Sequence, residues 1–150
     1  MKIPKSQQPL YDKTNDFMFA MARMEYALKA VGYVKSDGDA DWGRFAQMVA
    51  PYFDAPSERL ATAIAYILAN PPQKLKHRDG QLLWEEARPP ITMSTGELVL
   101  LYLRRIRGNC FQGGDGVETP ENHKPLLKYG TWVVRELLKV ALDVKVAFKS

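Results

Sequence analysis

A chain of 150 residues with 46% hydrophobic and 25% charged side chains has room for one globular domain with an ordinary core, so residues 1–150 read as a single unit. A formal charge of +4, from 21 basic and 17 acidic side chains, lacks the dense cationic surface of a protein that coats nucleic acid and leaves room only for a local basic patch. The longest apolar run, residues 98–103, is far short of the roughly 20 residues a membrane helix needs, and MKIPKSQQPLYDK has no apolar signal core; a cytoplasmic protein with no membrane partner is expected.

Residues 1–13 read as a flexible N-terminal segment. After them, NDFMFAMARMEYALKAVGY places Phe17, Met21, Met24, Leu28 and Val31 at spacings of four and three, which predicts one helix with one buried seam. Thr14, Asn15 or Asp16 is suited to cap its start, and Gly32 accepts a left-handed conformation just past its end. The methionines lie in or beside the seam and read as core packing rather than a ligand box. In KSDGDAD, Asp37, Asp39 and Asp41 alternate as in a calcium loop. Met48 stands where the twelfth-position glutamate would bind, so a solvated loop is expected. Asp41 caps a second helix through Trp42, Phe45, Met48 and Val49 toward Tyr52. Ser57 and Glu58 open a third, with Leu60, Ile64, Ile67 and Leu68 on one side, and Pro71 and Pro72 end it.

Residues 71–90, bracketed by proline pairs, form a long excursion around an Asp79-Gly80 turn signal. Lys74, Lys76, His77 and Arg78 make its first half basic, Leu82, Leu83 and Trp84 form an apolar anchor, and Glu85 and Glu86 follow. The plain reading is a solvated loop pinned by Trp84; the functional one is a flap that carries positive charge over a phosphate-bearing ligand. A helix restarts at Ser94, whose spacing to Glu97 is that of a capping box; it is apolar at its start and cationic at its end. Thr119-Pro120-Glu121 opens a last helix, with proline in the tolerated first position, running through Leu126, Val133, Leu137 and Ala141 to Val144. At about 1.5 Å per residue it reaches roughly 40 Å unless Gly130 bends it. No strand hairpin or repeat is evident, which predicts an all-α fold: an antiparallel bundle of about five helices, with the excursion between helices three and four.

RRIRGNCFQGG, residues 104–114, joins the last two of these helices. Cations in a final turn interact favourably with the helix dipole, by about 0.3–1 kcal/mol each, and Asn109 or the glycines can end the helix, so charge placement alone proves no site. Cys110, the only cysteine, excludes an internal disulfide and a cysteine-rich zinc site, and reads as a packed side chain rather than a nucleophile. What helix termination does not require is Asn109 just behind Arg107, Phe111 and Gln112 just before Gly113-Gly114, and another long helix immediately after. That arrangement resembles the HEPN superfamily (higher eukaryotes and prokaryotes nucleotide-binding domains), many of whose members are metal-independent endoribonucleases. Its mark is an arginine, four to six residues and a histidine, written around R-N-x-x-F-H-G-G. Arg107 matches the arginine, Asn109 the small polar residue displaced by one place, and residues 111–114 the remainder, with Gln112 where the histidine belongs. Glu25 and Lys29 resemble the start of a second family pattern on the first helix, in which Ala30 replaces the arginine.

The resemblance implies a homodimer, no cofactor and no metal, and RNA cut by attack of a ribose 2′-hydroxyl on the adjoining phosphate. That step needs a proton acceptor and a stabiliser of phosphorane charge. Arg107 can stabilise, with Arg104, Arg105 and Asn109 as RNA or phosphate contacts. Gln112 can orient a group but does not titrate near neutral pH, and losing general base catalysis costs about two to four orders of magnitude. His123 is the nearest replacement base, although an exposed first-turn histidine is the simpler expectation. His77 is a weaker candidate. Glu25 can accept a proton too, but with Lys29 it has the spacing of an ordinary helical ion pair. Three functions follow: a HEPN-like module with degenerate catalysis that binds RNA, a nucleotide or a partner protein such as an antitoxin-like one, in a defence or toxin–antitoxin system; a metal-independent endoribonuclease using Arg107 with a relocated base; and a helical interaction protein without a nucleic-acid role.

Overall fold

The computed structural model describes residues 8–89, 92–111 and 120–149, with side chains from residue 12 onward. Its elements are α1 (Gln8–Ala30), α2 (Trp42–Asp54), α3 (Glu58–Ala69), β1 (Lys74–Arg78), β2 (Gln81–Glu85), α4 (Thr95–Cys110), α5 (His123–Val140) and α6 (Leu142–Lys149). The fold is all-α, a helical bundle carrying one small hairpin. Helix α5 lies against α1 and α3, while α4 lies against α2, and the apolar seams meet between them. Phe17, Met21, Met24 and Leu28 of α1 are buried with Phe45, Ile67, Leu103, Ile106, Leu127 and Leu137. The methionine stripe is therefore core.

The helix starts follow local chemistry. The Asp41 carboxylate accepts from the Arg44 N–H at 3.0 Å, and the Ser57 and Ser94 hydroxyls accept from Leu60 and Glu97 at 3.2 Å each. Gly32 takes φ +101° beyond α1. The acidic loop closes on itself instead of opening a cation site: Lys35 N–H donates to the Asp39 carbonyl, and Asp39 N–H to the Asp37 carboxylate.

Several expectations need correction. Helix α1 begins at Gln8, so 8–13 belong to it rather than to a flexible segment. The excursion contains an antiparallel hairpin with Leu75 opposite Trp84 and Arg78 opposite Gln81. Its two-residue turn has positive φ at both Asp79 (50°) and Gly80 (77°), the geometry whose twist matches that of paired strands. Trp84 and Leu75 are half-buried, but Leu82 and Leu83 are exposed and anchor nothing; Leu68 is likewise exposed. Pro120 lies before α5 and accepts from His123 N–H at 3.0 Å, so the helix opens three residues later than its proline suggests.

The long last helix is two helices. Ala141 leaves helical geometry at ψ 75°, and α6 turns back onto α1, where the Arg23 guanidinium bonds the Phe148 carbonyl and lies 5.4 Å from the Phe148 ring centroid. Gly130 is not the bend. A Cβ there would sit 2.7 Å from Cε1 of the fully buried Phe17 and 3.2 Å from Leu103, so its role is to let α1, α4 and α5 approach. Among the described residues, no helix is long and apolar enough to cross a membrane.

Candidate functional site at the end of α4

At about 100° per residue, Arg104 and Arg107 fall on one flank of α4 and Arg105 and Asn109 on the other, with Leu103 and Ile106 facing the core between them. Gly108 occupies the outer surface between the flanks.

On the first flank, Arg107 forms an ion pair with Glu25 of α1; the two side chains are 30% and 27% exposed. Glu25 is therefore held by Arg107 across two helices rather than by Lys29, which is exposed in the last turn of α1. The Arg104 guanidinium lies 5.8 Å from the Trp42 ring centroid and donates from Nε to the Leu100 carbonyl at 3.4 Å. Burial lowers both guanidinium pKa values, but arginine starts so high that both stay charged at neutral pH.

On the second flank the donors go to backbone. Arg105 Nη1 donates to the Ala87 carbonyl at 2.6 Å and the Pro72 carbonyl at 3.3 Å, on either side of the hairpin. Asn109 is buried and donates from Nδ2 to the Gln73 carbonyl at 2.7 Å. Asn122, just before α5, donates from Nδ2 to the Asn70 and Pro71 carbonyls at 3.3 and 3.2 Å. Four successive carbonyls, residues 70–73, thus accept side-chain donors from the end of α4 and the start of α5. This strap, residues 70–73, has left α3, so no further helical turn bonds these carbonyls, and Asn109, Arg105 and Asn122 supply donors instead.

The strap also places the remaining candidates. His123 follows Asn122 and is 6% exposed, which overturns the expectation of a solvent-facing histidine; burial lowers its pKa, so it is neutral at neutral pH. Its helix begins beside Asn122, which bonds the same 70–73 segment that Arg105 and Asn109 hold. Cys110 Sγ donates to the Ile106 carbonyl at 3.3 Å, and burial raises its thiol to about 11, which leaves no thiolate for nucleophilic chemistry. Phe111 is 76% exposed at the end of α4. Gln112, Gly113 and Gly114 lie outside the described residues. His77 is exposed on β1.

Between β1 and the outer surface of α4 lies a cleft of about 210 Å³, lined by Lys74, Leu75, Arg105, Gly108 and Asn109. A Cβ on Gly108 would meet nothing within 4 Å, so the helix presents bare backbone there. Two cations border this cleft, Lys74 from the hairpin and Arg105 from the helix. In the sequence Lys74 is only one of several charges on an excursion; strand pairing is what sets it beside Arg105. Across the hairpin Arg78 and Glu85 pair, so Lys74 and Lys76 carry its net charge on β1. Among the described residues no group of three or more histidine, cysteine, aspartate or glutamate side chains is arranged to hold a metal. No family model, curated protein or solved structure matches this chain.

Proposed function

We propose that this protein is a HEPN-like helical module that binds RNA at the end of α4, with catalysis degraded by the glutamine at position 112. The observation that carries the reading is the cleft in which Lys74 of the hairpin meets Arg105, Asn109 and the bare Gly108. It adjoins Arg104 and Arg107, so a phosphodiester backbone crossing Gly108 meets cations on both sides. The hairpin then acts as a fixed basic wall rather than a moving flap, since Arg105 and Asn109 pin its base.

Gly108→Leu separates this function from stability. The added side chain enters open space and raises helix propensity, so the melting temperature holds or rises, by the equivalent of about 0.5–1 kcal/mol. RNA binding falls about tenfold or more because the crossing is blocked. Unchanged RNA affinity in a well-folded Gly108→Leu protein refutes the cleft. RNA cleavage in EDTA tests the degraded chemistry: the native protein is inert, and Gln112→His gains cleavage that also requires Arg107.

One contact favours a second reading, metal-independent cleavage with Glu25 as proton acceptor, because its carboxylate already lies against the Arg107 guanidinium. The two readings part at Glu25→Gln. The enzyme loses cleavage; the binding module instead binds RNA more tightly, since Arg107 no longer has a competing carboxylate.

A further inference from the structure

Where α3 meets α5, three half-buried rings form a chain on the surface. Tyr66 stacks on Tyr129 with centroids 4.7 Å apart and planes 30° apart, and Tyr129 meets Trp132 edge-on at 5.1 Å. Cations flank them: the Arg59 guanidinium lies 4.1 Å from the Trp132 centroid, and the Lys128 ammonium lies 5.1 Å from both the Tyr129 and Trp132 centroids. Trp132 also borders a shallow cleft of about 160 Å³, lined in addition by Lys13, Lys128 and Arg135, with Asp16 as its acid. Glu136 nearby accepts from the Ser57 hydroxyl at 2.8 Å and pairs with Lys139, so its charge is already answered.

Packing of α3 on α5 explains why the rings touch. It does not call for Lys13, Arg59, Lys128 and Arg135 around one tryptophan, where Asp16 and Glu136 face them as the nearby acids, so the surface keeps an excess of positive charge that favours an anionic ligand. The cleft is smaller than the roughly 300–1,000 Å³ of pockets that enclose a small molecule, so it takes one ring of a larger ligand. A polyanion carrying flat rings satisfies both conditions, and rings interleaved with cations are how proteins hold single strands.

We infer that the Tyr66–Tyr129–Trp132 face binds single-stranded nucleic acid, with a base against Trp132 and phosphates on Lys13, Lys128 and Arg135. A duplex keeps its base faces stacked inside and cannot use the tryptophan. None of the residues lining this cleft lines the α4 cleft.

Titration of the full chain with an oligouridylate of about eight nucleotides, read by anisotropy and by tryptophan fluorescence, tests it. Binding quenches fluorescence, and Trp132→Phe removes the quench while the fold is retained. Trp132→Ala weakens binding about tenfold or more. The exposed pair Lys128→Ala/Arg135→Ala, which leaves the core untouched, lowers the salt slope of binding by about 0.7 for each phosphate that no longer meets a cation. Lys74→Ala leaves the quench intact, so damage to the α4 cleft and damage to this face give different signatures. In a Gly108→Leu background, which closes the α4 cleft, equal affinity for duplex RNA, or binding whose quench survives in Trp132→Phe, overturns the inference, as does an unchanged salt slope when the double substitution is added.

Discussion

On one flank of α4, Arg105 and Asn109 donate to carbonyls of the chain's own strap at 2.6 to 3.3 Å; on the other, Arg107 meets the Glu25 carboxylate and Arg104 the face of Trp42. The residue types are those of one cationic helix end, yet their partners differ in kind. A carbonyl of the strap cannot leave without dismantling the route from α3 to the hairpin. A carboxylate on a partly exposed side chain can be exchanged for a phosphate at little structural cost. The Arg105–Asn109 flank is thus architecture first, and the Arg104–Arg107 flank is the exchangeable one.

The largest effect that separates the flanks is on stability. Arg105→Ala leaves the Pro72 and Ala87 carbonyls without their charged donor and costs about 2 kcal/mol, with Asn109→Ala costing about 1–2 kcal/mol, both read by urea unfolding. Losses under about 0.5 kcal/mol for both would erase the distinction, since surface changes away from special features fall in that range.

A smaller effect comes from His123, whose helix start is tied to the same strap through Asn122. Its folded pKa is below the ordinary 6.5, so the unfolded chain binds the proton more readily. Stability is therefore constant above about pH 6.5 and falls as pH drops through the window down to the folded value, by at most about 1.4 kcal/mol per pH unit. His123→Gln removes this component of the slope; an unaltered stability–pH curve between pH 5 and 7 contradicts a buried neutral imidazole.

The smallest stability effect belongs to the exchangeable flank. Glu25→Gln and Arg107→Ala each change unfolding free energy by less than about 1 kcal/mol, the range of solvent-accessible ion pairs. Their effect appears in binding: Arg107→Ala weakens RNA affinity and Glu25→Gln strengthens it. A destabilisation above about 3 kcal/mol in either variant marks the pair as a buried structural bridge and sharpens the comparison in the opposite sense.

Much of this architecture was legible in the residues. The seam Phe17, Met21, Met24, Leu28 is buried as its period requires, and Asp41, Ser57 and Ser94 cap their helices. The hairpin was obscured because Lys74–Arg78 offers Leu75 as its only apolar residue, so no alternation announced a strand; the Asp79-Gly80 turn was the surviving signal. The kink at Ala141 was hidden for the opposite reason. Apolar spacing through Leu138, Ala141 and Val144 continues across it, and packing on α1 redirects the chain without interrupting the pattern.

The site divides in the same way. Sequence alone determined that one helix would end in Arg104, Arg105 and Arg107 with Asn109 behind them, because helical periodicity and capping are local properties. Only the tertiary structure decided that Arg107 rather than Lys29 would pair with Glu25, that Arg105 and Asn109 would hold the strap, that Lys74 would border their cleft and that His123 would be buried. The first two choices depend on which distant carbonyl or carboxylate the fold brings within about 3 Å, and the last two on strand pairing and helix packing; all are set by packing rather than by spacing along the chain.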